Sequence, residues 1–463
     1  MHATSTDLDT TALDAIVRGT VVRPEDEQYD EARAIYNAAI DRRPAVVVRC
    51  ADVADVMAGV DFARSSGADL AVRSGGHNVA GFGTVDGGVV LDLSPMKGIQ
   101  VDPEARIVTA QSGCRWGDVD HATHVFGLAV PGGVVSTTGL GGLTLGGGIG
   151  HLTRSCGLSI DNLVSADVVL ADGTFVTASE DANEDLFWAL RGGGGNFGVV
   201  TSFTFRAHPV HTHIAGITLW PIEDAADAMR MYRELLAEAP DRLTGVFAFV
   251  VVPPGPPFPE EVRLKTMSAA VWCHRGTEDE ANEDLEPVRE FGRAAFEHIG
   301  PMPHPVLQSL FDGIAFAGLH NYWRGDFVRE LPDEAIALHV EHGSRVPNIY
   351  SSMHLYPIDG VAGRIAPDAT AWDFRDAKWG QVIFAASPEA GELDDLTTWV
   401  RGYSDAVRPY TAGGTYLNFI MDEGEERIRA SYRDNYDRLA AIKERYDPTN
   451  LFHVNQNIKP ALS

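Results

Sequence analysis

Four cysteines in 463 residues, Cys50, Cys114, Cys156 and Cys273, stand scattered with no C-x-x-C pair. That spacing offers neither a disulfide framework nor a zinc-ligand set, so no metal is expected. Lysine is nearly as scarce: Lys97, Lys265, Lys378, Lys443 and Lys459 are the only five, beside 32 arginines. Positive charge as a whole is in deficit, with 37 Lys and Arg against 65 Asp and Glu for a net charge of −28. A surface that acidic repels phosphate backbones and anionic headgroups, which excludes nucleic acid and membrane as expected partners. No stretch reaches the roughly 18 apolar residues of a membrane helix. The opening residues have no basic flank and no apolar run, so a secretory leader is not expected and a cytoplasmic location is. Walker-type G-x-x-x-x-G-K-[ST], H-E-x-x-H and G-x-S-x-G patterns are missing too. Their absence removes P-loop phosphoryl transfer, zinc proteolysis and serine-hydrolase chemistry.

What is present describes a globular chain. Apolar residues make up 44% and charged residues 22%, enough for a sizeable core. The 47 glycines are unevenly spread: Gly75 and Gly76 share one turn, seven crowd residues 139–150, and Gly192 to Gly195 stand together. Around them, β-forming runs predict strands at 45–48, 70–73, 89–93, 107–111, 167–170, 175–178 and 199–205. Asp172-Gly173 reads as a hairpin turn. Helical spacing appears over 52–66, capped by Asp52, and over 181–190, 222–239, 282–299 and 425–445. Aromatic-rich strands are expected at 348–356 and 415–420, with a proline-rich loop at 252–259.

Glycine clusters mean that backbone must approach something closely or adopt positive φ. Gly193-Gly-Gly-Asn-Phe-Gly198 matches G-x-G-x-x-G but follows a helix and precedes a strand. The dinucleotide fingerprint demands the opposite order, so this segment reads as a tight helix-to-strand connection. Arg73-Ser-Gly-Gly-His77-Asn ends a strand with small residues whose amides can turn toward an anion. Such backbone nests bind pyrophosphate without a lysine. The run from Pro131 to Gly150 is long enough to lie against a large planar ligand, with Ser136, Thr137, Thr138 and Thr144 supplying hydroxyls. Physics alone reaches a large, phosphorylated, partly apolar ligand.

Five segments in succession carry a resemblance: Arg73-Ser-Gly-Gly-His77-Asn, the 131–150 run, Cys156-Gly-Leu-Ser-Ile-Asp-Asn162, Leu190-Arg-Gly-Gly-Gly-Gly-Asn-Phe-Gly198 and Tyr446-Asp-Pro-Thr-Asn-Leu-Phe. Together they resemble the berberine-bridge-enzyme-like branch of the vanillyl-alcohol-oxidase flavoprotein superfamily. The likeness is close up to Val210, clear from Tyr446 onward, and weaker between. It implies an α+β fold with a two-subdomain, PCMH-type FAD-binding domain over 1–210. A substrate domain with an antiparallel sheet would follow over 211–418, and a C-terminal segment over 419–463 would return to the first. FAD would be held by Arg73, Ser74, Gly75, Gly76, His77, Asn78, Gln111, Pro131, Gly132, Val135, Thr137, Thr138, Gly141, Gly142, Thr144, Gly148, Gly150, His151, Asn162, Val199 and Val200. Asn455 and Asn457, two apart in a terminal strand, would close over its ribityl and pyrimidine end.

The resemblance makes His77 the covalent anchor, bonded through a ring nitrogen to the 8α-methyl carbon of FAD. That bond requires a neutral imidazole as nucleophile, and an alkylated flavin is a stronger oxidant. Many relatives carry a second link from a cysteine. Counting back from Gly146–Gly150 puts Val135 at that position, so attachment through His77 alone is expected. Cys114 and Cys156 lie in other motifs and read as packing residues. His151 and His121 are expected to satisfy local hydrogen bonds as well.

Hydride loss from a substrate carbon needs a base that removes the neighbouring O–H or N–H proton. Tyr416 and Asn418 would share one face of the 415–420 strand, and by resemblance the Y-x-N pattern carries a catalytic tyrosine. A phenol acts as base only if its surroundings lower a pKa of about 10. His354 and Tyr356, and likewise Tyr322, Trp323 and Arg324, could line the substrate wall. The expected partners are dioxygen and a small molecule of the sugar, alkaloid, amine or polyphenol class. The alternatives are a dehydrogenase of the same fold with a quinone or protein acceptor, and a flavin-binding protein without turnover.

Overall fold

In the computed structural model, which describes residues 8–461, three large sheets organise the chain. Valine-rich strands Val46–Arg49, Val89–Asp92 and Leu70–Arg73 run parallel in that order, with Thr20–Val22 antiparallel at the outer edge. Their apolar residues do not alternate with polar ones because Val46, Val47, Val48, Val89, Val90 and Leu91 are all fully buried. Helix Val53–Ser66 covers this sheet. Its cap Asp52 accepts from the amides of Ala54 and Asp55, and Gly67 at φ 68° ends it.

The second sheet is antiparallel, in the order Ile99–Asp102, Ile107–Gln111, Val199–Arg206, Leu163–Val169 and Phe175–Ser179. Asp172-Gly173 makes the hairpin between its last two strands, with Gly173 at φ 85°. Helix Glu184–Leu190 leads through the four glycines into strand Val199–Arg206, which is the helix-to-strand connection expected there.

The third sheet has seven antiparallel strands, in the order Phe296–Pro303, Thr212–Pro221, Thr266–His274, Leu243–Val251, Ser352–Pro357, Trp379–Ser387 and His320–Val328. Side-chain alternation gives it two faces. Phe247, Phe249, Met353 and Leu355 pack under helices Ala225–Glu238, Asp333–Gly343 and Leu393–Val407. Val246, Val271, Tyr356 and Val382 turn the other way, into a cluster with Ile149, Trp372 and Tyr416. This second face becomes a wall of the candidate site.

Several elements depart from the sequence expectation. Residues 282–299 form two short helices, Glu278–Asp284 and Glu286–Phe291, followed by strand Phe296–Pro303. Positive φ at Gly292 and Arg293 stops the helix, and pairing with Thr212–Pro221 recruits the next residues as an edge strand. The 425–445 helix breaks at Arg433, φ 43°, into Glu425–Tyr432 and Tyr436–Tyr446. The 348–356 strand begins only at Ser352, because Asn348 closes a turn on the Tyr350 amide. Residues 415–420 form no strand but a short 3₁₀ turn at Leu417–Phe419, and Asn455 and Asn457 lie in irregular chain. All four cysteines are free and buried.

A buried ion pair within the tail also bonds the tail to the glycine-rich part through Asn196. Lys443 Nζ donates to Asp447 at 2.6 Å and to the carbonyls of Asn196 and Phe452 at 2.7 and 2.9 Å, and both charged side chains are fully buried. Removing one partner strands the other charge. Lys443→Met is therefore expected to lower unfolding stability by about 3–5 kcal/mol. Denaturant titration should show the Lys443→Met/Asp447→Leu double variant recovering most of the loss.

Candidate active site

The segment after strand Leu70–Arg73, the 131–150 run, the Gly194–Asn196 turn, the open face of the seven-stranded sheet and the tail around Phe452–Gln456 line one cavity of about 300 Å³. At one end, the backbone N–H groups of Ser74, Gly75, Gly76, His77 and Asn78 meet no protein acceptor among the described residues. Five consecutive free donors are the nest that the sequence suggested. Arg73 does not add its charge to it. Its guanidinium is turned back onto Asp92 at 2.9 Å and onto the carbonyls of Ala32 and Ala34, so it stiffens the turn instead.

Backbone approach explains the glycines on either side. A Cβ on Gly75 would lie 2.5 Å from Gly139, and a Cβ on Gly139 would lie 2.3 Å from the Gly75 nitrogen. No real side chain tolerates those distances, so the two loops touch main chain to main chain. Gly139→Ala is expected to destabilise the fold by about 1–3 kcal/mol. It should also part the two loops, read as a fall in flavin content per chain. Unfree backbone, bare amides and an apolar floor of Val199, Val200 and Phe203 fit a flat dinucleotide with a pyrophosphate.

His77 is half-buried and faces this cavity. Its ring stacks on Tyr36 at 4.0 Å, and its Nε2 lies 3.2 Å from Thr137 Oγ1. Dehydration, helped by the charge of Arg115, lowers its pKa to about 3. The imidazole is therefore neutral throughout the physiological range, the form a nucleophile needs. Val135 lines the same cavity, whereas Cys114 and Cys156 do not. The Cys156 thiol instead lies 2.7 Å from Arg275 Nη1.

Across the cavity, three donors converge on the phenol oxygen of Tyr416. They are the amides of Gly148 at 2.9 Å and Ile149 at 3.3 Å and the side-chain nitrogen of Asn418 at 2.7 Å. Asn418 is fixed in turn by donating to the Leu143 carbonyl at 3.1 Å. Burial raises the Tyr416 pKa, and these three hydrogen bonds pull it back. Tyr416 and Asn418 meet although they share no strand face, because the 3₁₀ turn brings positions two apart together. Gly148 stands at φ 83°, where a Cβ would be 1.9 Å from Ser159 Oγ, so only glycine presents that amide.

Of the residues singled out from the sequence, Arg73 to Asn78, Val135, Thr138, Gly141, Gly142, Val199, Val200, Tyr416, Asn418 and Asn455 line the cavity. Gln111, Pro131, Gly132, Thr137, Thr144, Gly148, Gly150, His151, Asn162 and Asn457 do not. Gln111 accepts from the Gly98 amide, and Asn162 holds the carbonyls of Cys156 and Leu158. His151 is buried with neither ring nitrogen bonded, and exposed His121 makes no side-chain hydrogen bond, against the expectation for both. Strand alternation sends Trp323 into the cavity and Tyr322 and Arg324 away, toward Arg401 and Asp405. Tyr36, Phe311, Phe384 and Phe419 were missed. Phe384 alone had a readable signal, the period-two series Val382, Phe384 and Ala386. No group of three or more potential metal ligands occurs among the described residues.

A family model for an FAD binding domain matches residues 44–179, and one for berberine and berberine-like proteins matches 415–459. The chain is 32% identical over 450 residues to an FAD-linked oxidoreductase of Dictyostelium discoideum, covering 96% of this chain and 95% of that one. It is 31% identical over 460 residues to (R)-6-hydroxynicotine oxidase of Paenarthrobacter nicotinovorans, covering 96% and 97%. The crystal structure of 6-hydroxy-D-nicotine oxidase from Arthrobacter nicotinovorans matches with a TM-score of 0.85 at 28% identity, over 96% of this chain and 98% of that one.

Proposed function

The chain belongs to the FAD-linked oxidoreductases of the berberine-like family, and from that premise we propose that it is an oxidase with FAD attached through His77 alone. It takes two electrons from a carbon bearing a hydroxyl or amine and passes them to dioxygen, forming hydrogen peroxide. FAD, when bound, supplies the two-electron acceptor. The observation that carries the reading is one cavity bordered by a neutral imidazole, a nest of free amides and a phenol oxygen held by three donors.

Each residue then has a task. The amides of Ser74 to Asn78 bind the pyrophosphate, and the loop contact at Gly75 and Gly139 keeps them aligned. Tyr416 accepts the substrate O–H or N–H proton. The amides of Gly148 and Ile149 and the Asn418 side chain stabilise the phenolate that must be present to do so. Leu143, Ile149, Trp323 and Phe419 exclude water from the wall around it.

Acid precipitation of the purified protein tests the attachment: a yellow pellet supports it, and a colourless pellet under a yellow supernatant overturns it. Peroxide assayed against substrate consumed tests the acceptor. Reduced protein that stays bleached in air for minutes but recovers its colour with a quinone would make it a dehydrogenase instead.

A further inference from the structure

The sheet wall of the cavity carries almost no polarity. Among the described residues no Asp, Glu or Lys lines the cavity, and its one arginine, Arg73, is tied to Asp92 and to two carbonyls. The wall is made of rings. Trp323 packs 5.4 Å from Phe384, Phe384 lies edge-on 5.1 Å from His354, and Phe311 lies 5.8 Å from His354 on its other side. The polar groups near them are spent on one another. Trp323 Nε1 donates to Asn321 Oδ1, and Asn321 Nδ2 donates to the Leu319 carbonyl.

His354 is the exception. Its Nδ1 lies 2.7 Å from the hydroxyl of Tyr356, two residues along the same strand face. That hydroxyl has no other partner among the described residues, and when it donates its hydrogen to Nδ1 the ring proton sits on Nε2. Nε2 bonds to no protein atom, and the ring lines the cavity at 5% exposure. Burial holds the imidazole neutral, with a pKa of about 3. In that tautomer the wall offers one oriented, uncharged N–H donor within an aromatic box, with the half-exposed Tyr350 hydroxyl as another polar group beside it.

Resting on the oxidase reading of this same site, we propose that the substrate is a neutral, planar aromatic or conjugated molecule oriented by an acceptor atom hydrogen-bonded to His354 Nε2. An oligosaccharide would bury many hydroxyls against rings that cannot bond them, and each unmet group costs binding. An ammonium group would find no carboxylate, and a carboxylate no free cation. A flat ring system with a carbonyl or phenol oxygen for His354 Nε2 and a carbinol hydroxyl for Tyr416 leaves nothing unpaired.

The test is calorimetric titration of the flavin-loaded protein with 1-tetralone, with tetralin, which has the same rings without the oxygen, and with benzylammonium and cellobiose. Tetralone is expected to bind about tenfold more tightly than tetralin, the worth of one hydrogen bond. Benzylammonium and cellobiose should bind more weakly than either. His354→Phe should erase the preference for tetralone over tetralin while tetralin binding survives. His354→Gln, which keeps a side-chain N–H and nearly the same volume, should retain part of it and guards against misfolding of the first variant. Tetralone failing to bind, cellobiose or benzylammonium binding more tightly than tetralone, or a preference undiminished in His354→Phe would each overturn the proposal. Binding is read without turnover. A wild type that prefers tetralone yet makes no peroxide from 4-hydroxy-1-tetralone, which carries the carbinol carbon that tetralone lacks, refutes the oxidase reading alone, and peroxide from that compound without the preference refutes this one alone.

Discussion

Tyr416→Phe should lower kcat by about 10²- to 10⁴-fold, the usual worth of a positioned general base, while leaving flavin content unchanged. The variant removes the only atom on which Gly148, Ile149 and Asn418 converge. KM should move far less than kcat, because the ring that packs against Phe419, at 4.7 Å, stays in place. Burial raises the Tyr416 pKa above its ordinary value of about 10. The phenolate fraction, and with it the wild-type rate, should therefore climb with pH through neutrality and into the alkaline range. Stopped-flow reduction measured across pH would show that limb in the wild type and its loss in Tyr416→Phe. A variant that keeps wild-type kcat and the same pH profile would remove Tyr416 from the chemistry. Loss of the hydroxyl also leaves three donors unpaired in a buried site, at a cost of about 1–3 kcal/mol, so a thermal melt should accompany the kinetics.

The second large effect belongs to His77. His77→Ala should release all flavin into the supernatant on acid precipitation, and a tryptic peptide spanning position 77 should lose the mass of the cofactor. Because the wild-type imidazole titrates near 3, the yield of covalent adduct in the wild type should be flat across neutral pH. A steep dependence near pH 6–7, where a free histidine with a pKa of about 6.5 titrates, would contradict the buried, neutral ring. Activity of His77→Ala should fall with the loss of the imidazolyl substituent on the 8α carbon, which raises the flavin potential. The nest amides, which are main-chain atoms, would still hold noncovalent cofactor. Flavin that remains protein-bound through acid in this variant would point to a second attachment, and Val135 offers none.

Much of this was readable before any fold was known. The parallel strands around Val47 and Val90 and the capped helix behind Asp52 follow from local composition, since an unbroken valine run fits a sheet buried on both faces. The nest after Arg73 was legible for a similar reason: small residues at a strand end leave the backbone free to turn its amides outward. Where long-range pairing decided, local signals misled. The helical spacing read over 282–299 runs on into residues 296–299, yet the open edge beside Thr212–Pro221 takes them as a strand and satisfies their backbone better. Residues 415–420 alternate like a strand, yet only Ala412 and Gly414 bond to the edge strand His320–Val328, through Phe327, before the chain turns away into Leu417–Phe419.

The sequence by itself determined the run of bare amides and the histidine beside it, because glycine amides and a histidine at a strand end are properties of consecutive residues, whereas ten positions carried over from the resemblance, Gln111 and Asn162 among them, lie off the cavity. Only the tertiary structure decided how the opposite wall is connected. The three donors on Tyr416 come from positions 148, 149 and 418, and the ring box joins residues 311, 323, 354 and 384. Contacts made across hundreds of residues leave no periodicity in the chain, and whether a histidine nitrogen is free or spoken for depends on neighbours that only folding supplies.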